Sequence, residues 1–587
     1  MSQQNRLAVG SSVPLSVVFP EQQSSKETFL EILANLSRDD ALIMCAYINT
    51  IVTGSASLKR FDRQKYAVEF LCTETEIQKI SDFAKLQGGF EHIAVFFRGQ
   101  LLELARWIAK HCKNLPGGGE SFNSPQFKKY FLQAALISGE LWGERICRGL
   151  LIEHDNNQWL SATIKSTEES AHATRLRYLL TRGWLLNIKY LPSSYPAFSS
   201  EFQSATGLTV KQYLVCVTFI SSSLTLPEIK NYSFNPQEVA AATTNYQDVF
   251  FKYFALESQS SESLKDSLWQ DFSQKGYLSL RKRPIINCEG NRSIVIDPIF
   301  HNEKITVGPL FHLLSKTTGR KDNDIFSAFG SAFEDYATDI LKRIYHVPSP
   351  LIQRLFCNVK RQNNKFTVFE IDAVLNYETA LVIFEIKASW LREDKILDEM
   401  TDNLLNELRK KYGAIPQTNG SHKERPKGVA QLAKIVQAIA KREWLGENNE
   451  FENAKLIYPV LLVYNEQMAS LLLGRFLNEE FNSLLGHTHS EVNITPLITM
   501  TIDDLENLES SIDKFSLRDL LSDYISKVPD CTISLRNFIA QSEYNDKWEK
   551  NHELDVKFNE LWQQFQSELT QDIEGAALKL PQGGSPP

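Results

Sequence analysis

The sequence predicts an α/β protein in which a mostly helical N-terminal region precedes an α-β-β-α-β core, a mixed sheet flanked by helices. Three observations carry that expectation. Through residues 25–255 apolar side chains recur every three or four positions, as in Phe90, Ile93, Phe96, Phe97, Leu101, Leu102 and Leu104, the period of a helix with one buried face. Past the Ser-rich stretch 258–263 the pattern becomes short runs of β-branched and aromatic residues. Those runs alternate with helical ones, which is how a sheet acquires covering helices.

At 587 residues the chain is too long for one ordinary core. The expected division is a helical domain at 1–270, a sheet-bearing domain at 271–545 with an insertion at 391–427, and a C-terminal helix with a disordered tail at 546–587. Within the first part, Pro116 and Gly117 to Gly119 break one helix from the next, and helical periodicity resumes at 128–150. Small polar residues at 258–263 predict a linker, because they gain little from being ordered. Residues 277–286 and 293–300 read as a β-hairpin around Asn287 to Asn291. A helix follows at 324–345, then strands at 366–375 and 380–389, helices at 398–412 and 428–442, and a strand at 455–464. Residues 553–569 form a last amphipathic helix, and 580–587 should be disordered.

Composition excludes several classes of function. With 63 basic and 71 acidic side chains the formal net charge is −8, so the chain is no bulk-charge binder of nucleic acid, and any phosphate contact must be local. The eight cysteines are scattered singly, without the spacing of a zinc site, which fits a reducing, cytoplasmic setting. Neither a secretory signal nor an apolar run approaching the ~20 residues of a membrane span is visible. No Gly-x-x-x-x-Gly-Lys-Ser/Thr loop is present, so any nucleotide-driven step would fall to a partner.

One strand carries chemistry. In 380–389, Glu385 and Lys387 project from one face while Phe384, Ile386 and Ala388 project from the other. A carboxylate and an ammonium in an otherwise apolar strand are costly unless paired or bound to a cation. The preceding strand supplies Asp372, and the short turn at 376–379 makes the two strands antiparallel neighbours. Two carboxylates with open water positions suit Mg²⁺ or Mn²⁺ rather than zinc.

Asp372 followed by Glu385-Ile386-Lys387 resembles the Asp…Glu-x-Lys signature of the PD-(D/E)XK, or restriction-endonuclease-like, nucleases. Upstream, Phe329-Gly330-Ser331-Ala332-Phe333-Glu334 is similar to that family's first helix, with Glu334 as its acidic residue. Gly330 and Thr338, four residues either side of Glu334, predict a close approach of this helix to the sheet. Downstream, Gly428-Val429-Ala430-Gln431 resembles the later helix whose Gln supports the active-site Lys or the substrate, and Lys434 shares its face. The chain departs from the family in having Ile371 rather than Pro before Asp372, and in the long insertion at 391–427. That insertion holds Arg409, Lys410, Lys411, Lys423, Arg425 and Lys427, which serve phosphate contact or a solvated loop equally well.

The resemblance implies a Mg²⁺-dependent hydrolysis of phosphodiesters, with Mn²⁺ able to substitute. Asp372, Glu385 and the Ile386 carbonyl would hold the ion, Glu334 would bind it indirectly or hold a second, and Lys387 would orient or deprotonate water. DNA is favoured over RNA as substrate. A protein partner or a homo-oligomer is compatible with this reading, and a membrane is not. Analogy with restriction and antiphage enzymes extends it to bacterial defence. The competing reading is a nuclease-fold nucleic-acid-binding or scaffold subunit without turnover. The tripeptide alone decides nothing, since Glu228-Ile229-Lys230 repeats it with neither an apolar strand nor an upstream Asp. Glu370 reads as an exposed carboxylate, and His487 and His489 as surface residues.

Overall fold

The computed structural model describes residues 11–53, 60–114, 123–147, 156–170, 176–224, 233–273, 276–317, 320–346, 353–363, 366–396, 400–413, 428–446, 449–486, 491–549 and 551–570. The Gly-rich break at 116–119, the Glu228 tripeptide, Lys423, Arg425, Lys427, His487, His489 and the tail at 580–587 lie outside them.

Up to residue 257 the described elements are helices, apart from a two-residue pairing of Ser11–Ser12 with Ile93–Ala94. The Ser-rich stretch is not a linker. Ser258–Ser260 pairs in parallel with Ile285–Cys288, and the helix Ser261–Ser273 starts at once, with the Ser260 hydroxyl accepting the Ser263 N–H at 3.0 Å. Small hydroxyl residues at this point cap a helix, and that gain outweighs their ordering entropy. The hairpin is present but shorter than expected, Ile285–Cys288 against Arg292–Val295, and turns through Gly290 and Asn291, both with φ near +60 to +75°. Residue 300 belongs instead to the helix Pro298–Leu314, which Asp297 caps by accepting the Phe300 N–H at 2.9 Å.

The main sheet is mixed and flanked by helices. Its strands are β1 (Arg354–Asn363), β2 (Phe366–Asn376), β3 (Ala380–Lys387), β4 (Leu456–Val463) and β5 (Ile498–Thr501). β1, β2 and β3 run antiparallel in sequence, β3 and β4 are parallel, and β5 and the short Asn493–Ile494 strand both lie beside β4. β1 was not foreseen. It is an edge strand whose exposed Arg354, Asn358 and Lys360 interrupt the apolar pattern that would have announced it. β3 and β4 are central and buried along almost their whole length, as a parallel pair covered on both faces must be.

Helix α1 (Arg320–Ile344) packs on one face. It buries Ile325, Phe329, Ala332, Phe333, Tyr336 and Ile340 at helical spacing, in one core with Val382, Phe384 and Ile386 of β3. Helices α2 (Thr401–Tyr412) and α3 (Val429–Ala440) belong to the opposite core, which also holds Leu381 and Ile383. The inserted segment therefore contributes a packed helix, α2. Both cores draw on the N-terminal helices as well: the first core includes Leu180 and Tyr213, the second Leu42 and Phe131. Buried charge pairs tie the halves together, Arg98 to Asp297 at 2.7 Å and Arg182 to Glu506 at 2.6 Å. The last described element is the helix His552–Thr570, much as the periodicity predicts. Among the described residues no helix is long and apolar enough to cross a membrane.

Candidate active site

Asp372 and Glu385 meet where two strands part. The β2–β3 ladder runs from Asn376↔Leu381 to Ala373↔Phe384 and stops there. Beyond it the Asp372 carboxylate accepts the Ile386 backbone N–H at 2.6 Å, taking the place of a ladder partner. On the other side of β2, the pairing with β1 keeps one register from Arg354↔Asn376 to Arg361↔Phe369, and Asn358, opposite Asp372, has φ 53°. Asn tolerates that conformation at little cost. Beyond Ala373 no ladder pairing joins β2 to β3, and the Asp372 side chain is what links this end of the two strands.

Glu385 points toward α3 and is fully buried. Its Oε1 accepts from the Lys387 ammonium at 2.6 Å and from the Gly428 backbone N–H at 3.0 Å. Its Oε2 is buried and has no hydrogen-bond partner. Lys387 Nζ also reaches the Ile386 carbonyl at 3.2 Å, so the ammonium bridges Glu385 Oε1 and that carbonyl and leaves Oε2 free of it. Gly428, at φ 57°, brings its N–H to Glu385 because the chain passes hard against α2: a Cβ there would lie 2.1 Å from the Tyr412 carbonyl oxygen.

Burial raises the Glu385 carboxyl to about 8, and Asp372 adds to it while Lys387 opposes. Burial likewise raises Asp372, with Lys387 and the Ile386 N–H opposing. Glu334, on α1, is half-buried and raised to about 7, by burial first and then by the Asp372 charge, so the two carboxyls are within electrostatic reach. Burial alone would lower Lys387, yet Glu385 and Asp372 hold its ammonium above the ordinary range.

The other expected residues divide. Gln431 donates its Nε2 to the Glu370 carbonyl at 2.8 Å and so ties α3 to β2 beyond the end of the β2–β3 pairing. Glu370 pairs on the surface with Lys360 at 2.9 Å. Gly330 does not bring α1 close to the sheet, because a Cβ added there would meet nothing within 4 Å; its position on the helix faces open space while Phe329, Ala332 and Phe333 beside it are buried. Of the cationic insertion residues, Arg409 is engaged by Glu480 at 2.8 Å. The donor role of Gly428 was missed, and a Gly directly before an apolar helix was the available signal for it.

Among the described residues no group of three or more His, Cys, Asp or Glu side chains forms a metal cage. The donor set is smaller: two carboxylates, a main-chain carbonyl and a third carboxylate nearby. That set suits Mg²⁺, which keeps several waters and uses one or two carboxylates plus substrate phosphate. The unpartnered Glu385 Oε2 fits it too, since a buried carboxylate oxygen without a donor is costly unless a cation completes it. A cleft of about 730 Å³ beside the C-terminal half of α1 is a poorer candidate, because its charges satisfy one another, Lys189 with Asp339 at 3.3 Å and Arg343 with Glu509 at 2.5 Å.

No protein-family model, curated protein or solved structure matches this chain.

Proposed function

We propose that this α/β chain is a Mg²⁺-dependent nuclease of the PD-(D/E)XK type, acting on DNA in preference to RNA, with Glu334, Asp372, Glu385 and Lys387 as its catalytic residues. The observation that carries the reading is the buried Glu385 Oε2 without a partner, beside Asp372 and Lys387 where the β2–β3 pairing ends. The order of a helix bearing Glu334, antiparallel strands bearing Asp372 and Glu385-Ile386-Lys387, and a later helix before a parallel strand supports it.

A bound divalent ion would supply Lewis-acid stabilisation of the phosphoryl oxygens and a more acidic water. Asp372, Glu385 Oε2 and the Ile386 carbonyl would hold it. Lys387 would turn from the Ile386 carbonyl toward the attacking water, staying near Glu385 and positioning the water in line with the scissile bond. Glu334 would hold a further water at the rim. Gln431 and Gly428 are positioning residues, acting through Glu370 and Glu385.

The test is cleavage of linear, circular and single-stranded DNA, and of RNA, with Mg²⁺ or Mn²⁺, by the wild type beside Lys387→Ala. Cutting by the wild type alone supports the assignment. Absence of cutting together with absence of Mn²⁺ binding would leave a nucleic-acid-binding or scaffold subunit as the better reading.

A further inference from the structure

Of the large apolar side chains exposed among the described residues, two stand against one tryptophan. Phe311, at the end of Pro298–Leu314, is 43% exposed, and Phe326, on α1, is 42% exposed. Their rings lie 5.9 and 6.5 Å from that of Trp390, which is itself only half-buried. Trp390 is clamped from beneath, with Phe329 at 4.8 Å and Tyr464 at 5.4 Å. Three separate elements thus hold a rigid aromatic surface open to solvent. An apolar surface of this kind costs solubility and gives the fold nothing that Phe329 and Tyr464 do not already supply.

Its location connects it to the candidate site. Trp390 lies three residues beyond Lys387, within about 10 Å along an extended chain. On α1, Phe326, Gly330 and Glu334 are spaced by four residues and form one slanting ridge. Gly330 is the gap in that ridge, with nothing within 4 Å of where its side chain would stand. A shallow path therefore runs from the Glu334 carboxylate, over a position without a side chain, to the Phe326 ring.

We propose that Phe311, Phe326 and Trp390 form a stacking platform for an unpaired nucleobase of the substrate, and that the sugar-phosphate backbone crosses Gly330 to reach the catalytic carboxylates. This rests on the nuclease reading and narrows it to single-stranded or locally opened nucleic acid. Bases in a duplex are already stacked on one another, whereas an unpaired base gains by covering an aromatic face, and any base will serve. A grip through exposed aromatic rings also does not draw on net positive charge, which a chain of net charge −8 lacks.

The test uses the full chain in EDTA, so that binding is read without cutting, with a fluorescein-labelled single-stranded oligonucleotide and a blunt duplex of the same sequence. The Phe311→Ala/Phe326→Ala double variant should bind the single strand roughly tenfold more weakly and the duplex unchanged. Gly330→Leu, which has room for its side chain, should raise KM for single-stranded substrate with Mg²⁺ while the thermal midpoint does not fall. Unchanged single-strand affinity in the double variant, or an equal loss on the duplex, would overturn the platform. So would intact single-strand affinity with lost self-association in sedimentation, which would assign the aromatic surface to a second copy of the chain. A wild type that cuts while the double variant binds normally removes the platform alone; a wild type that neither binds nor cuts removes the nuclease reading with it.

Discussion

The Asp372 carboxylate accepts the Ile386 backbone N–H at 2.6 Å, so one side chain both closes the end of the β2–β3 ladder and faces the candidate metal position. The two roles separate by substitution. Asp372→Asn keeps an oxygen for the Ile386 N–H and loses the charge, so the thermal midpoint should stay within a few degrees while cleavage falls at least about a hundredfold. Asp372→Ala loses both, and the buried N–H left without a partner costs about 1–3 kcal/mol. Denaturant melts beside cleavage rates check this. Equal activity in wild type and Asp372→Asn would remove Asp372 from the chemistry and leave it a structural cap.

Gly428 is the narrowest point of the site's support. At φ 57° and ψ −128° its backbone is open to glycine and unfavourable for other residues, and a Cβ would press on the Tyr412 carbonyl at 2.1 Å. Backbone strain alone accounts for about 1–3 kcal/mol, and the collision adds to it. Gly428→Ala should therefore lower stability by about 3 kcal/mol and move the N–H that holds Glu385 Oε1, reducing cleavage as well. A variant as stable and as active as the wild type would show that α2 and α3 tolerate being pushed apart, and that Gly428 does not set the position of Glu385.

What the sequence made legible follows from cost. Glu385 and Lys387 stood out because charged groups in an apolar strand require an explanation, and Asp372 stood out through its hairpin relation to them. β1 was not legible, because an edge strand open to water carries Arg354, Asn358 and Lys360 without penalty and so loses the alternation that marks a strand. Ser258–Ser260 read as a linker because composition reports entropy cost and cannot report that Ile285–Cys288 lies alongside to accept its backbone hydrogen bonds. The Gln431 amide could be placed on its helix, yet its partner, the Glu370 carbonyl, belongs to main chain that pairs with β1 and no longer with β3, and main-chain geometry has no signature in residue type. Gly330 misled in an instructive way: absence of a side chain permits close packing, and equally leaves a gap.

A pH dependence of stability arises far from the candidate site, at His301. Its imidazole is fully buried, with Nδ1 2.9 Å from the Ser221 hydroxyl and Nε2 2.8 Å from the Tyr253 hydroxyl. Burial lowers it to about 4; Glu257 opposes that shift, and the Lys304 ammonium assists it. In the unfolded chain the same imidazole takes its proton near the ordinary histidine value of about 6.5. Between those two values the unfolded state binds more protons, so stability falls as pH drops from about 6.5 to about 4, by an amount on the order of 3 kcal/mol. Glu257 extends the loss to lower pH. Burial alone would raise its carboxyl, but Lys304 at 3.0 Å and His312, with a hydrogen bond from Tyr213 at 2.6 Å, bring it down to about 2. Its contribution is complete above its ordinary value and disappears as pH falls toward 2. The thermal midpoint of the wild type should thus decline steadily on titration from pH 7 to 4. His301→Gln, whose amide can still meet both hydroxyls and does not titrate, should begin lower at pH 7 and show a flatter profile over that interval. Parallel profiles for the two proteins would mean that the acid sensitivity resides in other groups and that the His301 cavity admits the proton without cost.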